Sequence, residues 1–308
     1  MAAKEPTWNA KTGLRMLWGR PIVPPFDGHE PTCSILSISS KCGWSVSLPA
    51  LATKTIEGDS QVICPTAAPS MRGIGPETRE LVGKDAVLAC VRCYPRKPGA
   101  HYQMALPKAA GQWRLAFAQW AAINGGEAEV MYVDYMAAAI KWASKQKQNQ
   151  PGVVRIHDSG DFYSAAYARL LRLAFEQVPD VAIWVSTRLM HDRPQMPLPM
   201  RREIAEIRKE LELMSELQHV AIRQSAMGVI DGTTKALVPG FHWPSTQVPR
   251  GFSGGTIIVD TKTATVPAGA WPCPANSQGH KCDGREHGGG LCRMCNTKND
   301  VIVAYELI

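Results

Sequence analysis

Between residues 153 and 223, apolar runs alternate with amphipathic stretches, and the joints between them are short. That alternation restricts the fold more than any other feature of the chain. Val153-Val154-Arg155-Ile156 has the length and apolar density of a buried strand. Ser164 stands where a helix needs an N-cap, and Tyr167, Leu170, Leu171, Ala174 and Phe175 follow as a stripe at helical spacing. Pro179-Asp180 stops this helix, and Val181 to Val185 reads as a second strand. A further helix is expected over residues 199–217, with Ile204, Ile207, Leu211 and Met214 on one side, and His219 to Arg223 supplies a third strand. Strands joined through helices pair in parallel with right-handed crossovers. The expected fold class is therefore α/β, either a barrel-like or partial (β/α) barrel or an open sheet, with parallel strands.

The flanking regions are less regular. Trp44 to Leu48 alternates like a short strand, but Pro21, Pro24, Pro25, Pro31, Pro49, Pro65 and Pro69 break up the first hundred residues. From Pro107 the pattern turns helical, with Trp113, Ala116, Phe117, Trp120 and Ile123 on one face. Asn124-Gly125-Gly126 is expected to end that helix, and a second is expected from Asp134 to Lys147. Thr256 to Asp260 and Val301 to Tyr305 read as two later strands flanking a cysteine-rich stretch. The expected organisation is an irregular Cys-containing segment over residues 1–105, an α/β core over 106–262, and a Cys-rich metal-binding segment with a final strand over 263–308.

Composition limits the functional classes. The 308 residues are 45% hydrophobic and 20% charged, which supplies a core and excludes a disordered chain. No apolar run approaches the roughly 18–20 residues of a membrane-spanning helix. Met1 to Pro6 holds no apolar signal core, so a cytoplasmic protein is expected. The 34 Lys+Arg against 27 Asp+Glu give a net charge of +7, compatible with a nucleic-acid or nucleotide partner. Nine cysteines in a reducing compartment point to metal rather than to disulfides.

Seven of those cysteines fall into two groups. In the later group, Cys292 and Cys295 lie on one tight Cys-x2-Cys turn, and Cys273 and Cys282 can complete a tetrahedral site of four sulfurs. Zinc suits such a site, and an iron–sulfur cluster uses the same ligand set. The earlier group is Cys64, Cys90 and Cys93, followed directly by Tyr94. With Cys33 or Cys42 as a fourth ligand it would be a closed structural site. Without one, three thiolates would hold a four-iron cluster and leave one iron open to a ligand.

His157-Asp158-Ser159-Gly160-Asp161-Phe162-Tyr163 sits at the C-terminal end of a predicted parallel strand, the end that carries active sites in barrels and open α/β sheets. Two carboxylates and an imidazole beside a glycine can bind a cofactor amine, coordinate a metal or perform acid–base work. Thr187-Arg188 and Arg223-Gln224-Ser225 end the next two strands, where Arg188 and Arg223 can grip a carboxylate or phosphate.

Taken together, Trp44 to Ala52, Cys90-x2-Cys93-Tyr94, Arg155 to Tyr163, Thr187-Arg188 and the late four-cysteine segment resemble the phage family named gene product eighty-eight. The resemblance runs from about Trp44 to the C-terminus. It implies a phage origin and the host cytoplasm, and carries no settled activity. More distantly, a cysteine cluster with an aromatic neighbour, an acidic Gly-containing strand end and a strand ending in Thr plus a polar residue resemble radical S-adenosylmethionine enzymes. That resemblance implies a 4Fe–4S cluster on Cys64, Cys90 and Cys93, with S-adenosylmethionine beside Tyr94, Ser159, Gly160 and Asp161. It also implies Asp158 or Asp161 as the contact to the cofactor amino group. By the chemistry of the strand ends themselves, His157, Asp158, Asp161 and Arg188 are the expected catalytic set. The compact three-cysteine spacing of those enzymes is absent, since 25 residues separate Cys64 from Cys90.

The leading expectation is an iron–sulfur enzyme acting on a nucleotide, nucleic acid or small anionic substrate. A second reading is similar to base-exchanging transglycosylases, whose barrel also carries an Asp-Ser-Gly element and a cysteine-rich zinc site. Asp158 would then be a catalytic carboxylate and the late cysteines structural. A third reading is a zinc-stabilised nucleic-acid-binding protein, although the basic residues are dispersed and form no stripe with interleaved aromatics.

Overall fold

The computed structural model describes residues 7–8, 15–17, 20–21, 35–39, 43–50, 52–54, 58–65, 105–147, 149, 151–189, 198–230, 253–259, 262, 264–266, 270–273 and 302–306. Short strands β1 (Thr7–Trp8), β2 (Arg15–Leu17) and β3 (Arg20–Pro21) pair antiparallel in a small sheet. The main sheet begins with β4 (Ser37–Ser39) and β5 (Gly43–Val46), which are antiparallel to each other. β6 (Ala52–Lys54) and β7 (Ser60–Val62) form a separate antiparallel pair. Four helices follow among the described residues: α1 (Ala105–Asn124), α2 (Gly126–Ala143), α3 (Ala165–Glu176) and α4 (Leu198–Glu216). They are interleaved with β8 (Val153–Ile156), β9 (Ala182–Thr187) and β10 (Val220–Ile230), and β11 (Ser253–Val259), β12 (Ala270–Pro272) and β13 (Ile302–Glu306) complete the set.

The large sheet has eight strands in the order β12-β13-β11-β10-β9-β8-β5-β4, and every pairing except β4 with β5 is parallel. From β5 to β11 its strands are laid down in chain order in one direction. Right-handed crossovers then put the intervening helices on a single face. Accordingly α1 packs on α2, α2 on α3 and α3 on α4. The order has two ends, β4 and β12, and no pairing joins them among the described residues. The expected parallel α/β architecture is present, and the strands run as an open series.

The core lies between the helix layer and one face of this sheet. Val154 and Ile156 of β8, Ile183 and Val185 of β9, and Val220 and Ile222 of β10 meet Leu170, Leu171, Ala174 and Phe175 of α3 and Ile204, Ile207, Leu211 and Met214 of α4. Each such side chain removed from water contributes roughly 1.5–3 kcal/mol. Ser164 caps α3 as its sequence position implies, accepting a hydrogen bond from the Tyr167 N–H at 3.2 Å. Asn149 holds the start of the sheet by acting as a piece of strand backbone. Its Oδ1 accepts from Trp44 N–H at 2.7 Å, and its Nδ2 donates to the carbonyls of Trp44 at 2.9 Å and Val153 at 3.3 Å.

Three local expectations differ from the structure. The second helix begins at Gly126 rather than Asp134, because Gly125 at φ 59° turns the chain and Gly126 opens a new helix at once. Ile123, grouped with the apolar face of α1, is 82% exposed, one residue before the helix ends at Asn124. The first hundred residues contain more regular structure than their prolines suggest, in strands β1 to β7. No described helix is long and apolar enough to cross a membrane.

Candidate functional site

The C-terminal ends of the parallel strands gather the polar residues singled out by the sequence. β8 ends at Ile156, and the next residue departs from the strand. His157 has φ 60°, the left-handed conformation that costs a side-chain-bearing residue on the order of 1–3 kcal/mol. Strand alternation would aim His157 at the face away from the helices. The turned backbone instead sets its ring against Phe162, with centroids 4.6 Å apart, and brings Nε2 to 3.0 Å from the Tyr167 hydroxyl. The His157 N–H donates to the Val46 carbonyl at 2.8 Å, which fixes the residue to β5. Burial, reinforced by the nearby Arg155 charge, lowers its pKa to about 3. The ring is therefore neutral at physiological pH and works through hydrogen bonds. Its Nδ1 has no hydrogen-bond partner among the described residues.

Asp158 is buried and pairs with Arg155, Nη1 to Oδ1 at 3.0 Å, and the Arg155 guanidinium lies over the Trp184 ring at 4.7 Å. A buried ion pair needs this kind of added contact, because desolvation opposes the mutual attraction of its charges. Ser159 is 3% exposed; its carbonyl accepts from Leu48 N–H at 3.0 Å, while its Oγ has no partner among the described residues. Gly160 at φ +85° could carry a side chain only with strain. A Cβ there would also fall 2.8 Å from Leu48 Cβ and 3.3 Å from Ile63 Cγ2. Only glycine lets the segment ending in Ile63, and so the residue before Cys64, lie this close to the loop.

Asp161 ties two strand ends together. Its Oδ1 accepts from Phe162 N–H at 2.9 Å and from the Thr187 hydroxyl at 2.7 Å, and its Oδ2 accepts from Arg188 N–H at 3.1 Å. Burial pushes the Asp161 carboxyl above the usual carboxylate range, and these three donors together with the Arg188 charge offset only part of that rise. Thr187 Oγ1 in turn accepts from Leu189 N–H at 3.2 Å. Thus the Asp of one loop and the Thr-Arg of the next, chosen separately from the sequence, are one hydrogen-bonded unit.

Under the loop, on the helix side, lies a buried polar layer that sequence reading passed over. Tyr163 stacks on Tyr167 at 4.8 Å, Tyr132 packs on Phe117, and burial raises the phenol pKa of all three tyrosines. Arg114 of α1 is 7% exposed and donates from Nη1 to the Ser47 carbonyl at 2.7 Å. In the sequence Tyr167 reads only as part of an apolar stripe. Its spacing from His157 across one loop and one helical turn was the available signal, since a buried hydroxyl needs a partner.

Of the seven expected metal ligands, Cys64 is half-buried just beyond β7 and Cys273 is buried at the end of β12. Cys90, Cys93, Cys282, Cys292 and Cys295 lie outside the described residues, as do Tyr94, Cys33 and Cys42. Among the described residues, no three His, Cys, Asp or Glu side chains converge as a metal site.

A family model described as Gene product 88 matches residues 27–298. No curated protein and no solved structure matches the chain significantly.

Proposed function

The chain belongs to the Gene product 88 family of phage proteins, and from that premise we propose that it is an iron–sulfur enzyme whose reaction takes place at the C-terminal ends of strands β5, β8, β9 and β10. In this reading Cys64, Cys90 and Cys93 hold a 4Fe–4S cluster, with S-adenosylmethionine as the co-substrate and a nucleotide, nucleic acid or small anionic molecule as the target. The sheet is taken to curve toward a partial barrel around that site. The late group of Cys273, Cys282, Cys292 and Cys295 holds zinc or a second cluster.

The observation that carries the reading is the contact of Leu48 and Ile63 with Gly160. It sets the residue before Cys64 against the acidic loop, where a thiolate ligand and a cofactor-binding loop must meet. Thiolate sulfur suits iron, and Cys64 is half-buried rather than sealed in the core. A cluster with one iron not held by the protein supplies an open coordination position and an electron. The chain's own residues do the remaining work. Asp158, Ser159 and Asp161 offer acceptors to an ammonium group, and Gly160 lets the backbone approach it closely. Arg188 supplies positive charge at the rim, and neutral His157 orients the loop through Tyr167.

Metal and sulfide content of protein purified without oxygen, with its visible spectrum, tests this. Iron and sulfide near about four per chain, lost in Cys90→Ala or Cys93→Ala, is the expected result; about eight would assign a cluster to both cysteine groups. Zinc without iron would overturn the reading and favour the transglycosylase-like or binding alternatives.

A further inference from the structure

Directly under the strand-end loop, the Tyr167 hydroxyl of α3 and His157 Nε2 lie 3.0 Å apart, and both residues are buried. An imidazole nitrogen accepts a hydrogen bond better than a phenol oxygen does. The pair is therefore assigned with the phenol donating and the ring proton on Nδ1. That Nδ1–H is then buried without an acceptor among the described residues, which opposes folding. The left-handed backbone that brings the ring here opposes folding as well. Two unfavourable features thus accompany the placing of a proton acceptor on this phenol.

The phenol also stands in a series of aromatic rings. Tyr163 stacks on Tyr167, with centroids 4.8 Å apart and planes at 19°. Tyr132 of α2 is close enough for its charge to raise the pKa of both. It packs on Phe117 of α1 at 4.9 Å, and Phe117 stacks on the partly buried Trp120 at 6.0 Å. Burial keeps the three phenols protonated at physiological pH. Electrons pass between packed rings without a cavity. A buried phenol gives one up most readily when a neighbouring base takes its proton, because the oxidised phenol is a strong acid.

We propose that Tyr167 and His157 form a redox-active pair, in which Tyr167 gives up one electron as its phenolic proton moves to His157 Nε2. The products are a neutral tyrosyl radical and an imidazolium, still hydrogen-bonded to each other. The oxidant is a carbon-centred radical at the strand ends, which takes the electron and a solvent proton to complete a C–H bond. The pair deepens the functional reading above, and rests on it for that oxidant alone.

The test supplies the oxidant from outside. Full-length protein purified without oxygen is oxidised by flash-generated tris(bipyridyl)ruthenium(III), frozen, and measured by electron paramagnetic resonance. A tyrosyl signal is expected, identified by its narrowing in protein made with ring-deuterated tyrosine. In D2O the radical should couple to an exchangeable deuteron, the one held by His157. Tyr167→Phe should abolish most of the signal. His157→Phe, which decides the matter should Tyr167→Phe fail to fold, should remove the deuteron coupling and lower the yield several-fold. No tyrosyl signal in the parent, or a signal that either substitution leaves unchanged, would overturn the proposal. Iron and sulfide are measured on the same samples. A tyrosyl signal without iron would keep the pair and remove the reading above, and iron without a tyrosyl signal would do the reverse.

Discussion

The outer surface of the helix layer and the loop after β8 solve the same problem, the placing of charged and polar groups, in opposite ways. On the helices Arg169 pairs with Glu129, Arg172 with Glu210 and Glu176, and Lys209 with Glu206, in partly exposed positions on regular backbone. In the loop His157, Asp158, Ser159 and Asp161 are all at most 4% exposed, one of them in a left-handed conformation and two with polar atoms that have no partner among the described residues. Surface pairs of the first kind add little stability. A strained, buried, polar loop opposes stability, and its persistence at the strand ends points to use rather than to folding.

Mutations should expose this contrast. The largest effect is expected at Gly160. Gly160→Ala meets both an unfavourable φ and the Cβ of Leu48, so a loss of about 2–4 kcal/mol is expected in chemical denaturation. A variant as stable as the parent would mean that β7 and the loop are not in this contact. Asp161→Ala should follow, at about 2–3 kcal/mol, because it leaves the buried Thr187 hydroxyl and the Phe162 and Arg188 amides without their acceptor. Thr187→Val, which removes a single member of that unit, should cost about 1 kcal/mol.

His157 predicts a pH effect. Its folded pKa, about 3, lies below the unfolded value of 6.5, so the folded state resists protonation more than the unfolded chain does. This contribution is therefore constant above pH 6.5 and is lost as pH falls from 6.5 toward 3, at a slope of roughly 1 kcal/mol per pH unit. Denaturation midpoints measured across that window should fall, and His157→Gln should flatten the slope. On the helix surface Arg169→Ala should cost less than about 1 kcal/mol, and added salt should shrink even that. An effect there as large as at Asp161 would erase the distinction between the two regions.

How far each region could be read from the sequence follows from the range of its interactions. The helix stripes of α3 and α4 and the Ser164 cap depend on spacing within a few residues, and every predicted stripe residue there is buried. Strands β8 and β9 and the start of β10 are equally clear, because a strand buried on both faces reads as a continuous apolar run, whereas β10 continues past Arg223 to Ile230 through residues with no such run. Short strands such as β4, β6 and β12 hold three residues each, too few to show a period. In the loop the residue types stood out, but their partners did not. Asp161 reaches Thr187 across 26 positions and Asn149 reaches Trp44 across 105, distances over which spacing in the chain carries no signal. Arg155 is a strand residue in sequence and structure alike, but nothing in its spacing signals its position over Trp184, 29 residues on.

Ser159 offers the most direct measurement. Its hydroxyl is buried without a partner among the described residues, so it contributes little to folding and, in this account, is kept for a ligand. Ser159→Ala should leave the denaturation midpoint unchanged or raise it, while the affinity of anaerobic protein for S-adenosylmethionine falls several-fold. A loss of more than about 1 kcal/mol of stability with that affinity intact would make the loop a folding element, and would contradict the claim that the strand ends are built to bind.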